Sequence, residues 1–358
     1  METATCDPAG YRVRLSHHEI ELDDGHRVGV SVGGCGVPLV FLHGLGLGRR
    51  AYLRMLSRVA GLGFLVIAVD APGHGDTHDL PVPGAEFTDR ATVILRTLDA
   101  LGVDKAVLAG HSMGGRMAIQ IAALAPERVL ATLLFDAAAG APFDAAVRTV
   151  MRSPSQMLHT VAGALYDLSR DPLLMKVEAV GRYLQMLRVV LMGKIMAPTG
   201  FCGAAQALMQ SGDSSSLLDM MRRQAVPTIV LHGADDAIIP FENACAVAET
   251  ADAVLYKVAD ACHSWLIAQP HRGAGAVRQL LSGELGQILR TAADARSIAD
   301  WQDGTEWEAA TLRADAPVTR LRNDDLIAQE TVCEVVEMER VWPDRAIAPD
   351  ELTAGLTA

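Results

Sequence analysis

Lys105 to Gly115 reads KAVLAGHSMGG, and this stretch decides the fold. An apolar run of strand type ends at Gly110-His111-Ser112-Met113-Gly114, and an Ala-rich, helix-compatible segment, Arg116 to Ala125, begins at once. So abrupt a change from strand to helix is the G-x-S-x-G nucleophile elbow, in which a serine sits on a strained turn with its Oγ exposed at the edge of a sheet. The two glycines are a steric requirement, because a side chain at 110 or 114 would strike the neighbouring strand or helix. Ser112 is therefore the candidate nucleophile.

The chain on either side of the elbow repeats its strand-then-helix rhythm. Glu19 to Leu22, Asp24-Gly25 and Arg27 to Val32 predict a hairpin, since Asp-Gly supplies the positive φ angles of a two-residue turn. Pro38 to Leu42 predicts a strand running into His43-Gly44-Leu45-Gly46-Leu47-Gly48, a loop whose backbone N–H groups are free of side-chain obstruction. Phe64 to Val69 is a continuous apolar run, fit for a strand buried on both faces, and it ends at Asp70-Ala71-Pro72-Gly73-His74-Gly75. Arg90 to Leu101 predicts a helix capped by Thr88 or Asp89. Beyond the elbow, Val129 to Phe135 predicts a strand closing at Asp136, and Pro227 to Leu231 another that leads into His232-Gly233-Ala234-Asp235-Asp236. A helix over Glu242 to Thr250, a strand over Ala253 to Val258, the turn Asp260-Ala261-Cys262-His263-Ser264-Trp265 and a helix ending near Gly283 complete the pattern. Strands alternating with helices predict an α/β fold, a mostly parallel, twisted sheet wrapped by helices on both faces.

Two segments break the rhythm. From Pro142 to Gln224 strand-like runs vanish and helical periodicity takes over, most plainly across Pro172 to Met192. Nine of the fourteen methionines lie there, which suits either ordinary helix packing or an adaptable apolar pocket. Residues 284–358 hold sixteen acidic and seven basic residues and so carry −9 of the net −12. That composition alone predicts a solvated extension, yet three of the four tryptophans (301, 307 and 342) fall in it, which predicts docking on the chain's own core or on a partner. The expected organisation is a core in two parts, 1–140 and 226–283, a helical cap over 141–225, and an acidic, Trp-containing extension over 284–358.

Composition narrows the function classes. A net charge of −12 with no Lys/Arg run of five or more argues against nucleic acid as a partner. The N-terminus lacks a basic segment followed by an apolar one, and no run of 18 apolar residues exists, so no membrane span is expected and a cytoplasmic location is. Six cysteines without a C-x-x-C pair fit reduced thiols rather than a disulfide framework or a zinc site.

The chain resembles the α/β-hydrolase superfamily over roughly Glu19 to Gly283. Four motifs carry the resemblance, each at the carboxyl end of a predicted strand: His43-Gly44, Asp70-x-x-Gly-x-Gly, the serine elbow, and Gly233-x-x-Asp236 followed by a late histidine. Open α/β sheets place their ligand sites at that edge. The resemblance implies His263 as the base, since it alone of eleven histidines lies just beyond the last strand. It favours Asp236 as the acid orienting that imidazole, by its spacing from Gly233 and Pro240; Asp235 and Asp136 are the competing carboxylates. It further implies an oxyanion hole built from the backbone N–H groups of Leu45 and Met113, with no cofactor and no metal. The Asp70 to Gly75 loop, Arg116 and Cys262 read as scaffold.

Serine at the elbow argues against the superfamily's epoxide hydrolases and haloalkane dehalogenases, which use aspartate there. It implies an acyl-enzyme, hence an ester, thioester, lactone or activated ketone as substrate. The Gly-His-Ser-Met-Gly-Gly wording is similar to cofactor-free haloperoxidases and to the meta-cleavage hydrolases that break carbon–carbon bonds. The latter place Trp directly after the base, whereas here Ser264 intervenes before Trp265. The apolar, Met-rich cap predicts a hydrophobic small molecule as substrate. A non-catalytic binding protein that keeps a remnant site is the reading from a different class, and the extension leaves contact with a second copy or another partner open.

Overall fold

The computed structural model describes residues 11–80, 86–152, 198–328 and 336–343. Eleven strands are present among them: β1 (Tyr11–Val13), β2 (Ser16–Glu21), β3 (Arg27–Gly33), β4 (Val37–Leu42), β5 (Phe64–Val69), β6 (Ala106–His111), β7 (Val129–Phe135), β8 (Thr228–Gly233), β9 (Val254–Val258), β10 (Leu326–Ala328) and β11 (Met338–Trp342). Nine form one sheet in the order β11-β9-β8-β7-β6-β4-β5-β3-β2, and β1 pairs separately with β10. The six strands from β5 through β4, β6, β7 and β8 to β9 run parallel, while β2, β3 and β11 make antiparallel pairs at the two ends.

Hydropathy explains which strands lie where. β4, β5, β6, β7 and β8 are buried at every residue, as central parallel strands covered on both faces must be. β2, with the sequence SHHEIE, alternates between half-buried and exposed, as a one-sided edge strand does. The pleat divides β5 between two cores: Phe64, Val66 and Ala68 face one, Leu65, Ile67 and Val69 the other.

Four helices frame the candidate site: α1 (Leu53–Ala60), α2 (Phe87–Leu101), α3 (Met113–Leu124) and α4 (Ala141–Arg152). Helix α2 begins three residues before the expected Arg90, because Glu86 and Asp89 form a reciprocal capping box. Helix α3 likewise starts at Met113, directly against the elbow serine, rather than at Arg116. Within 141–225 the described elements are all helices: α4, Pro198–Gln210 and Ser214–Arg223. The Pro172 to Met192 periodicity lies outside the described residues.

The described part of the acidic extension packs on the core. Leu285, Ile288, Leu289, Ala292, Ala293, Ile298 and Trp307 all join the core that holds Phe41 and Trp265. The Trp307 indole N–H donates to the Trp301 carbonyl at 2.8 Å, and Arg290 lies over the Trp301 ring at 5.0 Å. Burying one such aromatic side chain stabilises a fold by about 1.5–3 kcal/mol, which a solvated tail would forgo. β11 then closes the β9 edge of the sheet, a pairing that no alternation in the sequence announced. No helix among the described residues is long and apolar enough to cross a membrane.

Candidate active site

Ser112 stands between β6 and α3 with φ 54° and ψ −118°, a conformation that costs a non-glycine residue on the order of 1–3 kcal/mol. Its neighbours hold it there. Its N–H donates to Phe135 O at 3.0 Å, and its carbonyl accepts from Gly115, Arg116 and Ala138 at 3.0, 3.2 and 3.0 Å. A Cβ at Gly110 would lie 2.2 Å from Gly114 O, and one at Gly114 would lie 2.1 Å from Leu42 O on β4, so the turn admits glycine alone at both. His111 and Met113 on either side are buried, while Ser112 itself keeps partial exposure.

The turn after β9 brings His263 to the turn after β8. His263 Nδ1 lies 2.7 Å from Asp236 Oδ2. An ionised carboxylate only accepts, so Nδ1 carries the proton and Nε2 is left as the basic nitrogen. Asp236 Oδ1 accepts from the N–H groups of Ile238 and Ile239 at 2.9 and 2.8 Å, which fixes the carboxylate from behind. Burial pushes the Asp236 pKa up, but the charge and hydrogen bond of His263, with help from His232 and the Ile239 amide, hold it below the ordinary value. It stays ionised at neutral pH.

The competing carboxylates have other work. Asp235 is exposed, and its N–H donates to Ala261 O at 2.9 Å. Asp136 is fully buried at the end of β7, where Oδ1 accepts from Gly233 N and Oδ2 from the Trp265 indole N–H, both at 2.7 Å. Burial pushes its pKa up to about 6. His232 lies between the two carboxylates, its Nε2 2.7 Å from Ile239 O and 3.4 Å from Asp236 Oδ2. Asp136, His232 and Asp236 thus bring ligand-type atoms within 4.8 Å of one another. The four carboxylate oxygens already accept N–H bonds, a donor set committed to the protein rather than to an ion.

The glycine loop after β4 completes the site. His43 Nε2 accepts from Ala71 N at 2.9 Å, so its Nδ1 donates to Gly44 O at 2.9 Å; His74 Nε2 accepts from Gly46 N at 3.2 Å. Burial holds these imidazoles at about 4 and about 3, neutral at any working pH. Their bonds leave the Leu45 and Met113 N–H groups as donors with no acceptor among the described residues. Asp70 accepts from the N–H groups of Arg49 and Asp76 at 2.6 and 2.9 Å and pairs with the Arg49 guanidinium, which makes its loop scaffold. Buried Arg116 pairs with Asp144 of α4 at 3.1 Å and donates to Gly212 O at 3.1 Å, joining the elbow helix to both stems of the helical insertion. Cys262 is buried.

Two polar residues beside the site carry no motif of their own: Tyr52, which precedes α1, and His111, hidden inside the elbow pentapeptide. Their ring centroids are 5.6 Å apart, and that of His111 is 4.8 Å from that of His263.

Comparison with known proteins agrees with this architecture. The family described as alpha/beta hydrolase fold matches residues 37–269. A protein of Mycobacterium phage D29 named "Putative non-heme haloperoxidase" is 41% identical over 266 residues, covering 73% of this chain and 93% of its own. A 2-hydroxy-6-oxononadienedioate/2-hydroxy-6-oxononatrienedioate hydrolase of Paraburkholderia phymatum is 37% identical over 107 residues, 29% of this chain and 37% of its own. Among solved structures, a thermophilic esterase from Thermogutta terrifontis superposes with a TM-score of 0.59 at 26% identity, over 74% of this chain and 98% of its own.

Proposed function

Because the chain belongs to the α/β-hydrolase fold family, we propose that it is a serine hydrolase that cleaves an ester, thioester or lactone of a hydrophobic small molecule through an acyl-enzyme on Ser112. The observation that carries this reading is the 2.7 Å bond from His263 Nδ1 to a buried, ionised Asp236. That bond leaves Nε2 as a base whose protonated form is stabilised when it takes the Ser112 proton. Ser112 Oγ then attacks the substrate carbonyl, and the carbonyl oxygen gains negative charge that the Leu45 and Met113 N–H groups stabilise. One such donor is worth roughly 3–4 kcal/mol in related chemistry. His263 returns the proton to the leaving group, and water, activated the same way, releases the acid and restores the serine. No step needs a cofactor. The haloperoxidase name of the phage relative supports hydrogen peroxide as a second acyl acceptor in place of water.

Fluorophosphonate treatment with intact-mass analysis tests the assignment. One adduct on the wild type and none on Ser112→Ala is expected. No adduct on either chain overturns the catalytic reading in favour of a binding protein. A p-nitrophenyl ester series should rise from acetate to octanoate if the substrate is hydrophobic, and a strict preference for acetate contradicts that.

Carbon–carbon bond hydrolysis of a β-diketone or vinylogous ketone is the second reading, favoured by the local match to the Paraburkholderia enzyme. It would use the same three residues. Against it, Trp265 is displaced by one residue from the base and spends its indole N–H on Asp136.

A further inference from the structure

Gly44, Tyr52, His111 and His263 come from four separate stretches of chain, yet an unbroken run of hydrogen bonds joins them. Gly44 N–H donates to Tyr52 Oη at 3.2 Å, Tyr52 Oη lies 2.8 Å from His111 Nδ1, and His111 Nε2 lies 2.8 Å from the His263 carbonyl oxygen. The two ends dictate where every proton sits. A carbonyl only accepts, so His111 Nε2 carries the proton, and its Nδ1 accepts the phenolic hydrogen of Tyr52. The phenolic oxygen in turn accepts from Gly44, so all donors point one way and none is left over. Burial holds the His111 imidazole at about 3, so this direction is kept across the working pH range.

Acyl transfer itself requires neither a phenol nor a second imidazole. Tyr52 is 0% and His111 2% exposed, and burying two polar side chains is costly unless every partner is supplied. Here the partners adjoin the groups proposed to react. Gly44 precedes the donor Leu45, His111 precedes Ser112, and the carbonyl belongs to His263 itself. The packing leaves little slack: a Cβ at Gly44 would lie 3.0 Å from His111 Nδ1 and 3.4 Å from Ser112 Cβ.

We propose that Tyr52 and His111 are positioning residues that hold the oxyanion loop, the nucleophile strand and the base turn in one register. The role rests on the reading of Ser112 and His263 as the reacting pair. Neither side chain is required to touch substrate. Their loss displaces groups that act in the transition state, and leaves ground-state binding to the rest of the pocket.

The test compares wild type, Tyr52→Phe, His111→Asn, His111→Gln and Ser112→Ala. Active sites are counted by fluorophosphonate adduct, and kcat per labelled site and KM are measured on p-nitrophenyl butyrate. Tyr52→Phe should lower kcat per site about tenfold, a modest share of what an ångström of misplacement can cost, with KM within about twofold. Asparagine at 111 can still accept from Tyr52 but cannot reach the His263 carbonyl, and should fall as far. Glutamine can place an amide N–H near the lost Nε2, and should recover a good part of the rate. Unchanged kcat per site in Tyr52→Phe and His111→Asn, equal losses in the two His111 variants, or losses matched by a rise in KM would each overturn the relay. If one variant fails to accumulate, the other two decide. An unlabelled wild type sinks the catalytic reading itself, whereas a labelled wild type with unaffected variants sinks the relay alone.

Discussion

The turn after β7 and the turn after β8 stand on adjacent strands, and each presents a buried aspartate whose two oxygens accept N–H bonds. They differ in what donates. Asp136 takes its bonds from the Gly233 amide and the Trp265 indole, neither of which gives up its proton in the working pH range. Asp236 takes one of its bonds from His263 Nδ1, on an imidazole ring whose second nitrogen is of a type that can accept a proton. Burial and hydrogen-bond count therefore do not separate the two carboxylates; the identity of the donor does, and it is the ground on which Asp236 is proposed as the acid. Asp136 instead ties the end of β8, which leads to Asp236, to the turn that carries His263.

The largest expected effect contrasts the two directly. Asp236→Asn should lower kcat by about 10⁴-fold through the wrong imidazole tautomer, with little loss of stability. Asp136→Asn should lower kcat per folded molecule by no more than about tenfold, since a 1 Å displacement alone can cost about 10². It should instead destabilise the fold by about 1–3 kcal/mol, because an amide N–H2 is set against an N–H donor. Kinetics beside urea denaturation of both variants decide the matter, and the reverse pattern would exchange the roles of the carboxylates. A smaller effect tests the Asp136 to Trp265 bond. A double-mutant cycle of Asp136→Asn and Trp265→Phe should show a coupling energy of about 1 kcal/mol in stability, and simple additivity would deny the tie.

The smallest effect is in pH. His43, His74 and His111 have folded pKa values of about 4, 3 and 3, depressed by burial from 6.5. The stability linked to them is complete above pH 6.5 and is lost as pH falls, because the unfolded chain binds the protons first. Asp136, raised by burial to about 6 from 3.8, has the opposite sign: its contribution is complete below 3.8 and is lost as pH rises through 6. With three deeply buried imidazoles against the two carboxylates that burial raises, Asp136 and Asp70, the thermal midpoint should fall between pH 6.5 and 4. Asp136→Asn removes one counterweight, so its midpoint should fall more steeply from pH 6 to 4. Parallel slopes in wild type and variant would mean that Asp136 does not titrate there.

Much of this arrangement is readable in one dimension. β5 and β7 begin and end where the apolar runs Phe64 to Val69 and Val129 to Phe135 do, because a strand buried on both faces has no polar position to blur its ends. Asp236 and His263 are readable because a parallel sheet delivers every strand's carboxyl end to one edge, so strand order alone brings the two turns together. The start of α2 lies three residues before the expected Arg90 because Glu86, a less usual cap, works only through its exchange with Asp89. β11 was invisible because Met338 to Trp342 gains its strand from the open edge of β9 rather than from its own alternation.

The elbow, the parallel sheet and the chain order of Ser112, Asp236 and His263 are legible in one dimension, since they rest on local sterics and on the run of buried strands. Folding adds the contacts themselves: the bond from His263 to the favoured Asp236 rather than to Asp235 or Asp136, the docking of the described part of the acidic extension, and the run from Gly44 through Tyr52 and His111 to His263. Those depend on which donor faces which acceptor across the core. A hydrogen bond is a matter of tenths of an ångström between residues far apart in the chain, and no spacing along the chain encodes it.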